Sequence, residues 1–142
     1  MTGGPVPPQA APPRSRQAAY RRGRRAERLA GWWLRLKGYR LLVRGFRCPA
    51  GEIDLIAKRG GTLVFVEVKQ RDTVAMAAAA VSPRQRRRIA RAAEAFLQAR
   101  PDLAALTLRF DAVLLARHFW RRPAWPLQHE KDAWRSDTRL PY

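Results

Sequence analysis

The sequence predicts an α/β fold in which helices pack against a mixed β-sheet. Two segments, 16–37 and 82–99, carry apolar residues at helical spacing. Strand-like runs rich in β-branched and aromatic residues occupy 39–47, 52–58, 62–70 and 106–115. The predicted order is therefore α-β-β-β-α-β. Three consecutive strands followed by a strand that returns after a helix indicate a mixed sheet rather than a purely antiparallel one.

The first predicted helix, 16–37, is amphipathic and ends before Gly38, a residue suited to a helix C-terminus. Glu27 lies at the edge of its apolar face, and arginines cover the opposite side. The apolar stripe consists of Ala26, Leu29, Ala30, Trp33 and Leu36.

Glycines separate the first three predicted strands. Gly51 precedes the second strand, and Gly60-Gly61 predicts a tight turn that makes the second and third strands antiparallel neighbours. The third strand includes the run LVFVEVK, whose composition predicts a strand buried on both faces.

The second predicted helix has clear start and stop signals. Ser82 is a good N-cap, Pro83 suits the first helical position, and Gln85 completes a capping box, while Pro101 ends the helix. Its predicted apolar face consists of Ile89, Ala93, Phe96 and Leu97.

The charge balance predicts a polyanionic partner. The 142 residues contain 29 Lys and Arg against 11 Asp and Glu, a net charge of +18. Nucleic acid, most simply DNA, is the expected partner because binding its phosphates releases condensed counterions. An acidic protein or an anionic lipid is the alternative. The predicted nucleic-acid-binding residues are Arg71, Arg84, Arg86, Arg87, Arg88 and Arg91.

Other features of the composition narrow the class of protein. One cysteine and two histidines argue against a disulfide framework and a structural zinc site. No apolar run is long enough to span a bilayer, so we expect a cytoplasmic protein that does not associate with a membrane. Residues 1–15 contain five prolines and are expected to be a disordered Pro/Ala-rich tail before a single domain, 16–142.

Acidic residues and one lysine are placed to meet on the second and third strands. Strand side chains alternate between faces, so Glu52 and Asp54 share one face, as do Glu67 and Lys69. Pairing outward from the glycine turn brings Asp54 opposite Glu67 to within a residue or two. A hard cation such as Mg²⁺ or Mn²⁺ is bound by such carboxylates. The alternative is a salt-bridge cluster on a solvated sheet face.

This constellation suits phosphodiester hydrolysis. A metal ion can polarise the phosphate and generate hydroxide, while Lys69 can hold the attacking water or stabilise the charge growing on the phosphate. The first four acidic residues of the chain all belong to the proposed group: Glu27, Glu52, Asp54 and Glu67. For Glu27, pairing with Arg24 or Arg28 on the helix surface is the simpler alternative.

The same residues carry a family resemblance. The runs GEIDLI at 51–56 and VFVEVK at 64–69 resemble the YraN family of uncharacterised bacterial proteins, as do RFD at 109–111 and KDAW at 131–134. That family is predicted to have a restriction-endonuclease-like fold with a PD-(D/E)xK motif, similar to archaeal Holliday junction resolvases. Asp54 would be the first acid of the motif, and Glu67 and Lys69 its second element.

The resemblance implies a metal-dependent DNA endonuclease, acting on branched or otherwise structured DNA. It places Glu27 near the metal site and allows a homodimer by analogy with the resolvases. Asp54, Glu67, Lys69 and Glu27 would be catalytic, and Asp54, Glu67 and Glu52 would bind the metal. The alternative function is a non-catalytic nucleic-acid-binding module on a nuclease-like fold.

The chain departs from the family pattern at several positions. Ala26 stands where the family has Gly, Gly45 where it has Asn, and Gln85 where it has Lys. Met76 and an alanine run replace a Gly-containing loop after the third strand. We expect the last two changes to affect a substrate-facing loop rather than the metal site. Asp111 is expected to be a structural partner of Arg109 or of the first helix.

Overall fold

The computed structural model describes residues 14–116 and 127–135, and these form one five-stranded sheet with helices packed against it. The strands are β1 (Arg40–Cys48), β2 (Gly51–Arg59), β3 (Thr62–Arg71), β4 (Thr107–Ala116) and β5 (Leu127–Trp134). The helices are α1 (Arg14–Leu36), α2 (Val74–Ala79) and α3 (Pro83–Ala99), with a 3-10 turn at Pro101–Leu103.

The sheet is mixed, as the sequence predicts. Its strands follow chain order, β1-β2-β3-β4-β5, and only β3 and β4 run parallel among these described strands. The parallel pair is connected through α2 and α3, because a parallel neighbour needs a long crossover. This arrangement is consistent with a restriction-endonuclease-like fold. It confirms the predicted α/β class.

Strand β3 lies at the centre of the core. The side chains of Leu63, Val64, Phe65 and Val66 are fully buried, and they alternate between the two faces of the sheet. Leu63 and Phe65 lie on the face of the sheet that α2 and α3 cover, whereas Val64 and Val66 lie on the face that α1 covers. The prediction that this strand is buried on both faces is therefore confirmed.

Helix α1 contacts the sheet through Ala26 and Ala30 of the predicted apolar stripe, together with Leu34, which the stripe did not include. The buried line is Ala26, Ala30 and Leu34, spaced four residues apart. Leu29 is 39% exposed and Leu36 is 77% exposed, so the prediction that both face the core was wrong. The small side chains of the two alanines let the helix axis lie close to the sheet, which rotates both leucines outward.

Two described elements go beyond the predicted order. The alanine run after β3, expected to be a loop, forms the short helix α2, whose N-cap Thr73 accepts a hydrogen bond from Met76 N at 3.1 Å. Strand β5 adds a fifth strand beyond the last one in the predicted order. The Pro/Ala-rich segment 1–13, Trp120, Trp125 and His118 lie outside the described residues.

The edge of the sheet is held by a buried polar network around Asp111, which is fully buried. Arg109 Nε and Nη2 donate to its two carboxylate oxygens, each at 2.8 Å. Asp132 N donates to Oδ1 at 3.0 Å, and His129 Nε2 lies 2.7 Å from Oδ2. The expected pairing of Asp111 with Arg109 is confirmed.

An aromatic stack completes this edge. The rings of Phe110 and Trp134 stack with centroids 5.8 Å apart, and Trp134 belongs to the core. Residues of the RFD and KDAW motifs therefore meet across β4 and β5, so both motifs have a structural explanation.

Among the described helices, none is both long enough and apolar enough to cross a membrane.

Candidate active site

The site forms where β2 and β3 separate. Their backbone pairing ends at Leu55 and Val66, so Asp54 and Glu67 are the next facing pair. Asp54 Oδ2 accepts a hydrogen bond from Val68 N at 2.8 Å. The Asp54 carboxylate thus takes the place of a backbone carbonyl of β2 as the acceptor for the Val68 amide. The amide therefore stays hydrogen-bonded although the two strands diverge. The predicted meeting of Asp54 and Glu67 is confirmed.

A local irregularity in β2 accompanies this separation. Ile53 and Leu55 pack on opposite faces of the sheet, although strand alternation would place them on the same face. The residue opposite Asp54 on β1 is Gly45, which has a positive φ of 65°. A distortion of this kind re-aims side chains beside it, and here it lies next to the acidic pair.

All four predicted acids and Lys69 line one cleft of about 310 Å³. Asp54 and Glu67 come from neighbouring strands, and Glu27 comes from α1, which crosses above them. Arg71 and Gln85 complete the polar part of the lining. The structure therefore brings together the residues proposed for catalysis and for metal binding.

Glu67 is the most deeply buried acid of the cleft, with only 5% of the residue exposed. Its Oε1 accepts a hydrogen bond from Gln85 Nε2 at 2.7 Å and lies 3.2 Å from Lys69 Nζ. The Lys69 ammonium and the Gln85 amide thus both contact a single carboxylate oxygen. Lys69 is itself mostly buried, so its charge is directed into the cleft rather than into solvent.

Three carboxyl groups of the cleft, those of Glu67, Glu27 and Asp54, have pKa values above their ordinary ones. Burial, together with the charge of Asp54, raises the pKa of Glu67 to about 8 against the opposing effect of Lys69. Burial and then Asp54 raise the pKa of Glu27 to about 7. Burial also raises the pKa of Asp54, although the Val68 amide opposes this effect. Crowded like charges in a partly dry cleft explain all three directions.

This donor set fits a hard divalent cation. The cleft offers carboxylate oxygens on adjacent strands, and a cation placed there would favour the ionised form of these groups against the burial and repulsion that raise their pKa values. Within 14–116 and 127–135, no three Asp, Glu, His or Cys side chains form a metal-binding group on their own. The fit is therefore to an ion such as Mg²⁺, which is commonly held by one or two carboxylates with water completing its coordination.

Glu52, one of the three acids predicted to bind the metal, lies at the rim of the cleft. Its side chain is 63% exposed and is 3.4 Å from Arg47 Nε. Glu27, in contrast, is half-buried and interacts with Asp54 as well as with Arg24, so the surface-pair alternative describes only part of its environment. Of Glu27 and Glu52, Glu27 is therefore better placed to take part in a reaction at Asp54.

The predicted nucleic-acid-binding arginines divide into two groups. Arg71 lines the cleft, where its Nη1 donates to the backbone oxygen of Gln70 at 2.7 Å. The arginines of α3 are exposed but do not line the cleft; Arg86, for example, lies over the Trp134 ring at 5.8 Å. The members of this outer group are Arg84, Arg86, Arg87, Arg88 and Arg91, and their contact with DNA stays a prediction.

Comparison with known proteins gives the family. A family model described as uncharacterised protein family UPF0102 matches residues 26–115. A UPF0102 protein of Paramagnetospirillum magneticum is 52% identical over 132 residues, covering 90% of this chain and 98% of that protein. Another, from Bradyrhizobium sp., is 54% identical over 114 residues and covers 80% of each chain. This chain belongs to UPF0102, the YraN family.

One departure of this UPF0102 chain from its family pattern is explained by backbone conformation. Gly45 replaces an Asn at a position where φ is positive. Asn and Gly are the residues that most readily adopt this conformation, so the exchange preserves the irregularity opposite Asp54.

A second departure lies inside the site. Gln85, where the UPF0102 pattern has Lys, donates directly to Glu67. The expectation that this change affects a substrate-facing loop and not the metal site was wrong. The predicted capping box is formed only in part: the backbone N of Gln85 donates to Ser82 Oγ at 3.2 Å and fixes the start of α3. The Gln85 side chain turns toward Glu67 and not back to the Ser82 backbone, as a capping box requires. Capping spacing gave no sign of this contact, because it depends on how α3 docks against the sheet.

Proposed function

We propose that this UPF0102 protein is a metal-dependent DNA endonuclease that hydrolyses phosphodiester bonds. The observation that carries the proposal is the meeting of Asp54, Glu67 and Lys69 in one cleft where β2 and β3 separate. Asp54 and Glu67 would hold Mg²⁺ or Mn²⁺. When bound, such an ion would polarise the phosphate and lower the pKa of a bound water.

The chain's own residues supply the remaining parts of the chemistry. The Val68 amide fixes the Asp54 carboxylate, and Gln85 and Lys69 fix that of Glu67. Lys69 would orient a water molecule or stabilise negative charge on the phosphate, because its ammonium is held in the cleft. Glu27 is half-buried and interacts with Asp54, so its carboxyl would be placed to accept or release a proton beside the proposed metal site.

The proposed substrate is DNA, with branched or structured DNA favoured by the resemblance to the resolvases. The net charge of +18 supplies long-range attraction for any polyanion, and Arg71 brings a positive charge into the cleft itself. Contacts of this kind bind the phosphate backbone and do not read bases, so we expect little sequence preference.

Plasmid nicking tests the proposal. Purified wild type should nick supercoiled DNA in Mg²⁺ or Mn²⁺ and not in EDTA, and Lys69→Ala should lower the rate by about 100-fold or more. Lys58→Ala is the matched control, because Lys58 lies on β2 outside the cleft and its loss should leave the rate unchanged.

DNA binding measured in parallel separates the two candidate functions. If wild type binds DNA but shows no metal-dependent nicking on supercoiled or branched substrates, the nuclease proposal is overturned. The protein would then be a binding module on a nuclease-like fold.

A further inference from the structure

We infer that a groove between α1 and β1 binds the DNA phosphodiester backbone next to the bond that is cut. This groove has a volume of about 540 Å³ and is continuous with the acidic cleft, since Glu27, Glu52 and Asp54 line both. The inference rests on the proposed function, because the groove leads to the proposed cutting site.

Arginines from two elements form the walls of the groove. Arg24 and Arg28 lie four residues apart on α1 and therefore share a helix face. Arg44 and Arg47 come from β1, on either side of Gly45. The Arg44 guanidinium reaches across to α1, where its Nη2 lies 3.7 Å from the position that a Cβ on residue 31 would take.

The positive charges of the groove lie beside the acidic cleft, where they can attract an anion that the carboxylates would repel. Three of the acids line both the groove and the cleft, whereas the four arginines line the groove alone. In the described part of the chain, neither Arg28 nor Arg44 forms an ion pair with a carboxylate. Arg47 pairs with Glu52 at 3.4 Å, but both side chains are exposed, so water and salt weaken this pair.

The chemistry of these walls matches phosphate. A guanidinium presents a planar set of donors that fits two phosphate oxygens, and four such groups along one groove match a repeating polyanion better than a single phosphate ion. Gly45 contributes open space at the groove, because nothing lies within 4 Å of the position a Cβ would occupy there. A backbone can therefore pass over β1 toward Asp54.

The salt dependence of DNA affinity tests the inference. The full-length protein is titrated into a labelled DNA duplex in EDTA, so that metal-dependent cleavage cannot contribute. Each phosphate contact adds about 0.9 to the slope of log affinity against log salt, so Arg28→Ala/Arg44→Ala should lower the slope by between about 1 and 2.

The matched control is Arg35→Ala/Arg40→Ala. It removes the same charge from the same two elements, since Arg35 lies on α1 and Arg40 on β1, and neither lines the groove. We expect this control to change the slope by much less. An unchanged slope for the groove variant, or an equal fall in both variants, would overturn the inference; thermal unfolding establishes that each variant is folded.

Failure of the inference can be distinguished from failure of the proposed function. A wild type that does not nick DNA, together with a groove variant whose salt slope is lowered as expected, rejects the nuclease and keeps the groove as a DNA-binding surface. A wild type that nicks DNA, together with a groove variant of unchanged slope, rejects the groove and keeps the nuclease.

Discussion

At the scale of single residues, Asp111 has the most completely satisfied charge among the described acids. Burial raises the pKa of its carboxyl, but hydrogen bonds from His129, Arg109 and Asp132 N outweigh that effect, and the net pKa lies below its ordinary value. Lys37 Nζ lies 3.4 Å from His129 Nδ1. The imidazole ring therefore lies between the Lys37 ammonium and the Asp111 carboxylate, with one ring nitrogen facing each of them.

Asp111→Asn should destabilise the protein by about 3 kcal/mol, because it leaves buried donors and the Arg109 charge without their carboxylate. Since the pKa of Asp111 is lowered in the folded state, its contribution is present above the unfolded pKa and is lost as pH falls through the folded pKa. Urea unfolding at neutral and acidic pH measures both effects, and the difference between wild type and variant should shrink in acid.

Asp102→Asn is the control for this substitution. Asp102 forms a comparable pair with Arg100 at 2.9 Å, but both side chains are largely exposed, so its loss should change stability little. Equal effects of the two substitutions on the free energy of unfolding would contradict the role assigned to the buried network.

Sequence patterns predicted Asp54, Glu67 and Lys69 because a two-glycine turn fixes the register between neighbouring strands. They did not predict the roles of Gln85 and His129. Each of these residues meets its carboxylate only after distant elements have packed, at separations of 18 residues in the chain. Local spacing carries no signal for such contacts.

At the scale of elements, the docking of α3 on β2 depends on Gly51. A Cβ at this position would lie 2.9 Å from Arg88 O, a backbone atom of α3. Gly51→Ala must therefore push the helix away from the strand, and overpacking of this kind costs about 1–3 kcal/mol. Because α3 also carries Gln85, the same shift should weaken the hydrogen bond to Glu67 and lower any nicking activity.

Gly61→Ala tests whether this effect comes from helix docking. Gly61 also adjoins β2 and β3, but nothing lies within 4 Å of a Cβ placed there, so the added methyl group has open space. Urea unfolding should show a large loss of stability for the residue 51 variant and a small change for the residue 61 variant. Similar stabilities for both would argue against a tight α3–β2 contact.

The elements differ in how well the sequence predicted them. Strands β1 to β4 and helix α3 lie within a few residues of the predicted bounds, because glycines and capping residues mark their ends. The rotation of α1 was not predictable in the same way. Its apolar residues outnumber those that the sheet can cover, so packing of the small Ala26 and Ala30, rather than hydrophobicity, selects the buried line.

At the scale of the whole molecule, a strongly basic chain encloses an acidic cleft. The chain carries +18 overall, yet Glu27, Glu52, Asp54 and Glu67 line a single cleft. A basic surface would attract the proposed polyanionic substrate, whereas ionised carboxylates in the cleft would repel its phosphate groups. A bound cation or bound protons must therefore neutralise the cleft, which ties stability, pH and metal binding together.

The sign of this linkage follows from the raised pKa values. Glu67 and Glu27 have an ordinary pKa of 4.5, and in the folded protein these values are about 8 and about 7. Above the ordinary value the unfolded chain has released both protons, while the folded protein keeps them until pH rises through its own pKa values. The folded state binds more protons across this window, so its stability falls as pH rises from about 5 to about 8.

Thermal unfolding in EDTA should therefore show the Tm of wild type falling over this pH window, and Glu67→Gln should flatten the fall because the amide does not titrate. Mg²⁺ or Mn²⁺ should raise the Tm of wild type most at the alkaline end, where the carboxylates are free to bind it, and should raise that of Glu67→Gln much less. Glu94→Gln, on α3 away from the cleft, should follow wild type throughout. If wild type and Glu67→Gln kept the same dependence of Tm on pH and on metal, the cleft would not be the cation site. Its most buried carboxylate would then contribute nothing to the binding of protons or of the cation.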